Sequence, residues 1–250
     1  MSSNIPNDRS GAARDEVEEL LTSLDLSRAR TPDELTALAA EIGRAFDESK
    51  ELRNTSRSPG RLWKKYIEEV LPLAHLGQHL FPGRPDVRCQ PILRDSGNCD
   101  AIITFRDGSK MTSLFVKFTY AKDGHEDSLR MEVLKNKGRV NLLGKVNYCG
   151  TKKTGHHIDV EDEAVFRPSI LAKHRRLIVD RVKAKSTKSY SSDHILVVVF
   201  DDYTGIRSEP EMADLKSYLS SEMDLSALDF RRLYLLGSSG KTLSELRLER

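Results

Sequence analysis

The chain has 250 residues, 38% hydrophobic and 31% charged, with 40 Lys plus Arg against 38 Asp plus Glu and a formal net charge of +2. These values exclude a collagen-like repeat and wholesale disorder, and no stretch approaches the roughly 18–20 consecutive apolar residues of a membrane span. A soluble globular chain is expected, with one domain or one and a half, because single cores stop growing near about 250–300 residues.

Charge is spread unevenly. Residues 1–52 hold twelve acids and six bases, net −6, so the other 198 residues carry +8. The densest basic stretch runs from Lys173 to Lys188, with seven bases and one acid. Together these predict an acidic appendage on a basic body. Cys89, Cys99 and Cys149 are odd in number, which implies no disulfide framework and a reducing compartment. The N-terminal residues contain no apolar signal segment, so a cytoplasmic protein is expected. Cys149 with His156 and His157 fits no zinc spacing.

Residues 1–14 are rich in Ser, Asn, Gly and Arg and are expected to be disordered. Val17, Leu20, Leu21 and Leu24 form one helical stripe. Leu35, Leu38, Ile42 and Phe46 form a second, begun by Thr31-Pro32-Asp33-Glu34. Residues 54–60 read as a linker, dividing a helical N-terminal segment (1–53) from a core (61–250). Trp63, Tyr66, Ile67, Val70 and Ala74 repeat as an amphipathic helix that Pro72 should kink. Strands are predicted over 87–93, 100–105 and 114–120, the last two joined by a turn at Asp107-Gly108. A helix over 125–137 should end at Gly138 in a left-handed cap. A short strand is expected at 142–146 and a basic loop at 149–155. Pro168 opens another helix, Ile195 to Phe200 read as a strand buried on both faces, and a helix at 209–219 and a strand at 233–236 follow. The fold expected is α/β, a mixed central β-sheet flanked by helices, with the small helical segment in front.

Three features converge as a site. Asp100 begins a strand. On the next strand alternation places Phe115, Lys117 and Thr119 on one face and Leu114, Val116 and Phe118 on the other. Glu69 lies beside the apolar stripe of the first core helix, where it could be aimed at the strand ends. Carboxylates in such an arrangement hold Mg²⁺ with several of its waters, and a lysine stabilises developing charge on phosphate.

This order of elements, with Asn98-Cys99-Asp100-Ala101-Ile102-Ile103 and Phe115-Val116-Lys117-Phe118-Thr119, resembles the PD-(D/E)XK nuclease-like superfamily. Lys185, Lys188 and Tyr190 ahead of the 195–200 run are similar to a later segment of that group. The resemblance covers roughly 62–236. It implies a restriction-endonuclease-like core that binds nucleic acid, DNA foremost. If the core is active, the implied reaction is Mg²⁺-dependent phosphodiester cleavage, with Asp100, Lys117 and Glu69 catalytic. It departs from the family at Phe115, where a carboxylate two residues before the lysine is required. The active site is therefore expected to be degenerate, with Glu126, just past the strand, as a migrated metal ligand beside Asp100 and Glu69.

Several other groups carry alternatives. Glu126 also fits a plain helix start, paired with Arg130 four residues on. Arg176, Lys183, Lys185 and Lys188 are read either as contacts to a nucleic-acid backbone or as a solvated helix face. Tyr190 could stack a base. Residues 237–242, Gly-Ser-Ser-Gly-Lys-Thr, imitate a phosphate loop, but Leu235 stands where its first glycine is needed, so a surface turn is expected. Asp201-Asp202 could take a cation or cap the following loop. The rival reading of the whole chain is a non-catalytic module that holds a protein partner through the N-terminal helices.

Overall fold

A computed structural model describes residues 9–49, 52, 60–94, 97–142, 144–151, 155–246 and 248. Helices α1 (Arg9–Ser23) and α2 (Pro32–Glu48) come first. Then α3 (Arg61–Lys65) passes through a π-helical turn, Tyr66–Val70, into α4 (Leu71–Leu80). Strands β1 (Arg88–Pro91), β2 (Ala101–Asp107) and β3 (Lys110–Tyr120) follow, then α5 (Gly124–Lys137). A hairpin of β4 (Gly144–Thr151) and β5 (Gly155–Ala164) leads to α6 (Arg167–Ser186). The chain ends with β6 (His194–Phe200), α7 (Glu209–Glu222), β7 (Arg232–Gly237) and β8 (Leu243–Leu246).

The fold is α/β, with one six-stranded sheet in the order β1-β2-β3-β6-β7-β8, and β4-β5 as a separate two-stranded sheet. Pairing is antiparallel for β1-β2, β2-β3 and β7-β8. Phe115 N–H donates to Asp193 O and Ala121 N–H to Val199 O, a constant offset that makes β3 and β6 parallel. Arg231 N–H to His194 O and Ser238 N–H to Phe200 O do the same for β6 and β7. The sheet is therefore mixed. Ile195 through Phe200 are each at most 3% exposed, because β6 sits inside the sheet and both its faces are covered.

The chain falls into two compact units. Unit 1 comprises residues Met1–Phe118, Tyr190–Val197 and Phe230–Arg232; unit 2 comprises Thr119–Ser189, Val198–Asp229 and Leu233–Arg250. In unit 1 the stripes of α1 and α2 are spent on the unit's own core: Val17, Leu21, Leu35, Leu38, Ile42 and Phe46 are buried. Trp63 stacks on Phe46 with ring centroids 4.1 Å apart. A Thr31–Glu34 capping box starts α2, as the sequence Thr31-Pro32-Asp33-Glu34 requires. Glu18 accepts the Leu62 N–H at 3.0 Å and so caps α3 from outside its own helix.

The structure departs from expectation in four places. The segment expected to be disordered through Arg14 is already helical at Arg9, while residues 1–8 and residues 54–59 of the linker lie outside the described residues. Pro72 produces a π turn just before itself, with Leu71 N–H donating to Tyr66 O. Proline lacks an N–H and crowds the preceding turn, and one wider turn absorbs both defects. The expected basic loop after Cys149 is the distal part of a hairpin whose strands are in register from Val146↔Val160 to Thr151↔Gly155. Finally β8 adds an edge strand after the 237–242 turn, where no further element was expected. Its apolar residues are Leu243 and Leu246, too few for a period-2 signal.

Candidate functional site

The Asp107-Gly108 turn joins β2 to β3 as predicted, with Gly108 at φ 60°. Its register sets Ala101 opposite Val116, and Asp100 N–H donates to Val116 O at 2.8 Å. Lys117 is thereby carried next to Asp100. Its Nζ donates to Asp100 Oδ1 at 2.6 Å, and Phe118 N–H donates to Oδ2 at 2.8 Å. Both partners are mostly buried, with side chains 14% and 18% exposed.

Glu69 sits in the π turn and is 8% exposed. Lys65 Nζ donates to its Oε1 at 2.6 Å, but Oε2 is buried without a hydrogen-bond partner among the described residues. Burial pushes the Glu69 carboxyl above its ordinary value; Lys65 opposes the shift, the charge of Asp100 adds to it and that of Lys117 lowers it. Within unit 1, Lys117 is bonded to Asp100, and the charges of both act on Glu69. A buried carboxylate oxygen left unpaired is costly, and π turns recur at functional sites.

The sign of that shift yields a prediction. A carboxyl whose folded value is raised penalises folding at pH values above its unfolded value, and the penalty fades as pH falls. Glu69→Gln should therefore raise the melting temperature at pH 7, with the gain shrinking toward pH 4. Thermal melts across that range check it; a lower melting temperature at pH 7 would contradict the orphaned oxygen.

Phe115 shares the face of Lys117, as alternation required. Its ring stacks on His194, centroids 5.1 Å apart at 25°. His194 Nδ1 meets Ser191 Oγ at 2.8 Å, while Nε2 is buried and unpaired. An aromatic ring thus packs at the position where the resembling family carries an acid. Tyr190 also lies beside the Asp100–Lys117 pair, whose charges act on its hydroxyl, although burial is the larger influence and raises its pKa. Its ring is tilted against Phe230 at 4.4 Å and lies 5.5 Å from His194, so it is already packed rather than presented as a stacking platform. His194 and Phe230 carried no signal in sequence, since neither belongs to a periodic stripe.

Glu126 belongs to unit 2 and is engaged there. Arg130 Nη2 donates to Oε1 at 2.5 Å and Lys173 Nζ to Oε2. Burial raises its carboxyl, but these two cations outweigh that and hold it below its ordinary value. The helix-start reading is the observed one, with Asp123 capping α5 by accepting the N–H groups of His125 and Glu126. Among the described residues no group of three or more His, Cys, Asp or Glu comes together as metal ligands. Asp100, Glu69 and Glu126 are thus not brought together as a three-carboxylate ligand group among the described residues.

No protein-family model, curated protein or solved structure matches the chain.

Along α6, Ile178, Val179 and Val182 are buried. Arg176, Lys183 and Lys188 are exposed and Lys185 is half-buried. Three other bases of the run are committed within unit 2: Lys173 to Glu126, Arg175 to Asp214, and Arg181 to the carbonyl of Lys122. Asp201 and Asp202 both serve as loop caps. Asp201 accepts the N–H groups of Tyr203 and Thr204, and Asp202 accepts Ser239 N–H at 2.8 Å. Residues 237–242 form the turn between β7 and β8, as expected for a surface turn. No helix among the described residues is long and apolar enough to cross a membrane.

The start of α7 supplies a pH-dependent test of unit 2. Glu211 accepts the Arg207 and Ser208 N–H groups, and Arg167 Nη2 donates to its Oε1 at 2.5 Å. The Arg207 N–H, then Arg167, hold the Glu211 carboxyl at about 2 against the opposing effect of burial. A lowered carboxylate contributes stability above its unfolded value of 4.5, lost as pH falls toward about 2. Arg167→Met should therefore lose stability at pH 7 and show a flatter decline between pH 4.5 and 2, read by denaturant titration at each pH.

Proposed function

We propose that this protein is a nucleic-acid-binding protein, DNA foremost, on a PD-(D/E)XK-like core whose degenerate active site supports at most weak metal-dependent phosphodiester cleavage. The observation that carries this reading is the Asp100–Lys117 pair, set by strand register beside a buried Glu69 with an unpaired oxygen. The order helix, three antiparallel strands, helices and a fourth strand parallel to the third supports the same resemblance.

A divalent cation fits this site weakly. The orphaned Oε2 of Glu69 suits a hard cation, and Mg²⁺ can be held by one or two carboxylates together with substrate phosphates. Glu69 and Asp100 would hold it, and it would supply charge stabilisation at the scissile phosphate. Lys65 fixes Oε1 of Glu69, which leaves the buried Oε2 as the oxygen to offer a cation. Lys117 neutralises Asp100 and supplies a cation for developing charge on phosphate oxygen. Phe115 contributes no charge, so affinity should fall short of a three-carboxylate site. Such a role suits a cytoplasmic protein, with Arg176, Lys183, Lys185 and Lys188 gripping the phosphate backbone.

Binding of a labelled DNA duplex tests the reading at rising salt. Affinity should fall steeply with log salt, and each of Lys183→Ala and Lys188→Ala should lower the slope by about 1. Incubation with Mn²⁺ or Mg²⁺ should give slow nicking of supercoiled DNA that Asp100→Ala abolishes. Salt-insensitive or absent binding removes the nucleic-acid reading; binding without nicking leaves a binding-only core.

A further inference from the structure

Every group used here belongs to unit 2. A cleft of about 510 Å³ opens there, within the roughly 300–1,000 Å³ typical of small-molecule sites. Ala121 and Lys122 on its wall directly follow β3, and Asp201 and Thr204 follow β6. It therefore lies outside the carboxyl ends of two parallel strands, where open α/β sheets hold ligands. Leu142, Val146, Val165, Ile170 and Leu177 make its apolar wall. Two of them, Leu142 at 67% and Val165 at 38%, are large apolar side chains left open to solvent.

Asp123, Glu126 and Asp201 are spent on protein donors, and burial raises the Asp127 carboxyl against the opposing charge of Lys122. The exposed Lys145 ammonium and the Ser169 hydroxyl have no partner among the described residues. His174 Nδ1 is buried without a hydrogen-bond partner among the described residues, and burial lowers the imidazole pKa. Arg130 donates to Asn141 O at 2.6 Å and Gly144 O at 2.7 Å, as well as to Glu126. This ties the base of the hairpin to α5, so the cleft is preformed.

We propose that this cleft binds a small organic anion with an apolar body. Its head group meets the Lys145 ammonium and the Ser169 hydroxyl, and its body covers Leu142, Val165, Ile170 and Leu177. The site uses no residue of the Asp100–Lys117 centre and stands whether or not that centre cleaves DNA.

Titration with 8-anilinonaphthalene-1-sulfonate, followed by fluorescence and displaced by decanoate, tests it. One saturable site per chain is expected. Lys145→Glu, an exposed substitution, and Ile170→Trp, which fills the cleft, should each weaken binding at least fivefold. Phe166→Ser, at an exposed residue outside the lining, should leave it unchanged. Non-saturable fluorescence, or equal affinity in wild type, Lys145→Glu and Ile170→Trp, overturns the proposal, as does a loss confined to Phe166→Ser. Circular dichroism confirms folding, and Lys145→Glu alone decides the outcome if Ile170→Trp fails to fold.

Discussion

Lys117→Met should lower stability by about 3 kcal/mol, near the low end for breaking a buried ion pair, and the melting temperature by roughly 6–12 °C. The reason is what remains. Asp100 would keep the Phe118 N–H but lose the Lys117 ammonium, its salt-bridge cation among the described residues, in a position where its side chain is 18% exposed. Removing the charge as well should restore most of the loss, so Asp100→Asn/Lys117→Met is expected to melt within a few degrees of wild type. DNA nicking should be absent from both variants. Denaturant unfolding of the set decides the matter: a loss under about 1 kcal/mol for Lys117→Met would mean that the pair behaves as an exposed one.

Gly237→Val should cost about 3 kcal/mol, the upper range for forcing atoms into a packed site. Gly237 ends β7 and is buried, and a Cβ there would collide with the Asp202 carboxylate. That carboxylate cannot swing aside freely, because it is 9% exposed and holds the hydroxyls of Ser238 and Ser239 and the Ser239 N–H. Asp202→Ala alone should also destabilise, since it strands those donors. The double variant should lose less than the two single losses added, with a coupling above about 1 kcal/mol. Additive losses would show that the turn relaxes around the new side chain.

Much of the fold was legible because local periodicity reports burial. The unbroken apolar run of Ile195 to Phe200 marked an interior strand, and Asp107-Gly108 marked the β2-β3 hairpin. Gly138, at φ 71°, closes α5 as predicted. The β4-β5 hairpin was not legible: its strands pair only Val146↔Val160 and Tyr148↔Ile158 as apolar partners among polar ones, too short an alternation to stand out from a loop.

The sequence by itself determined the α/β order, the faces of its helices and the presence of Glu69, Asp100 and Lys117 on adjoining elements. Only the tertiary structure decided which partner each charge meets. Asp100 and Lys117 are 17 residues apart and Glu126 and Lys173 are 47 apart. Pairings at such separations depend on strand register and on how helices dock, which side-chain spacing along one element does not encode. The same holds for the wider turn before Pro72, which carries Glu69 into a buried position with one oxygen unpaired.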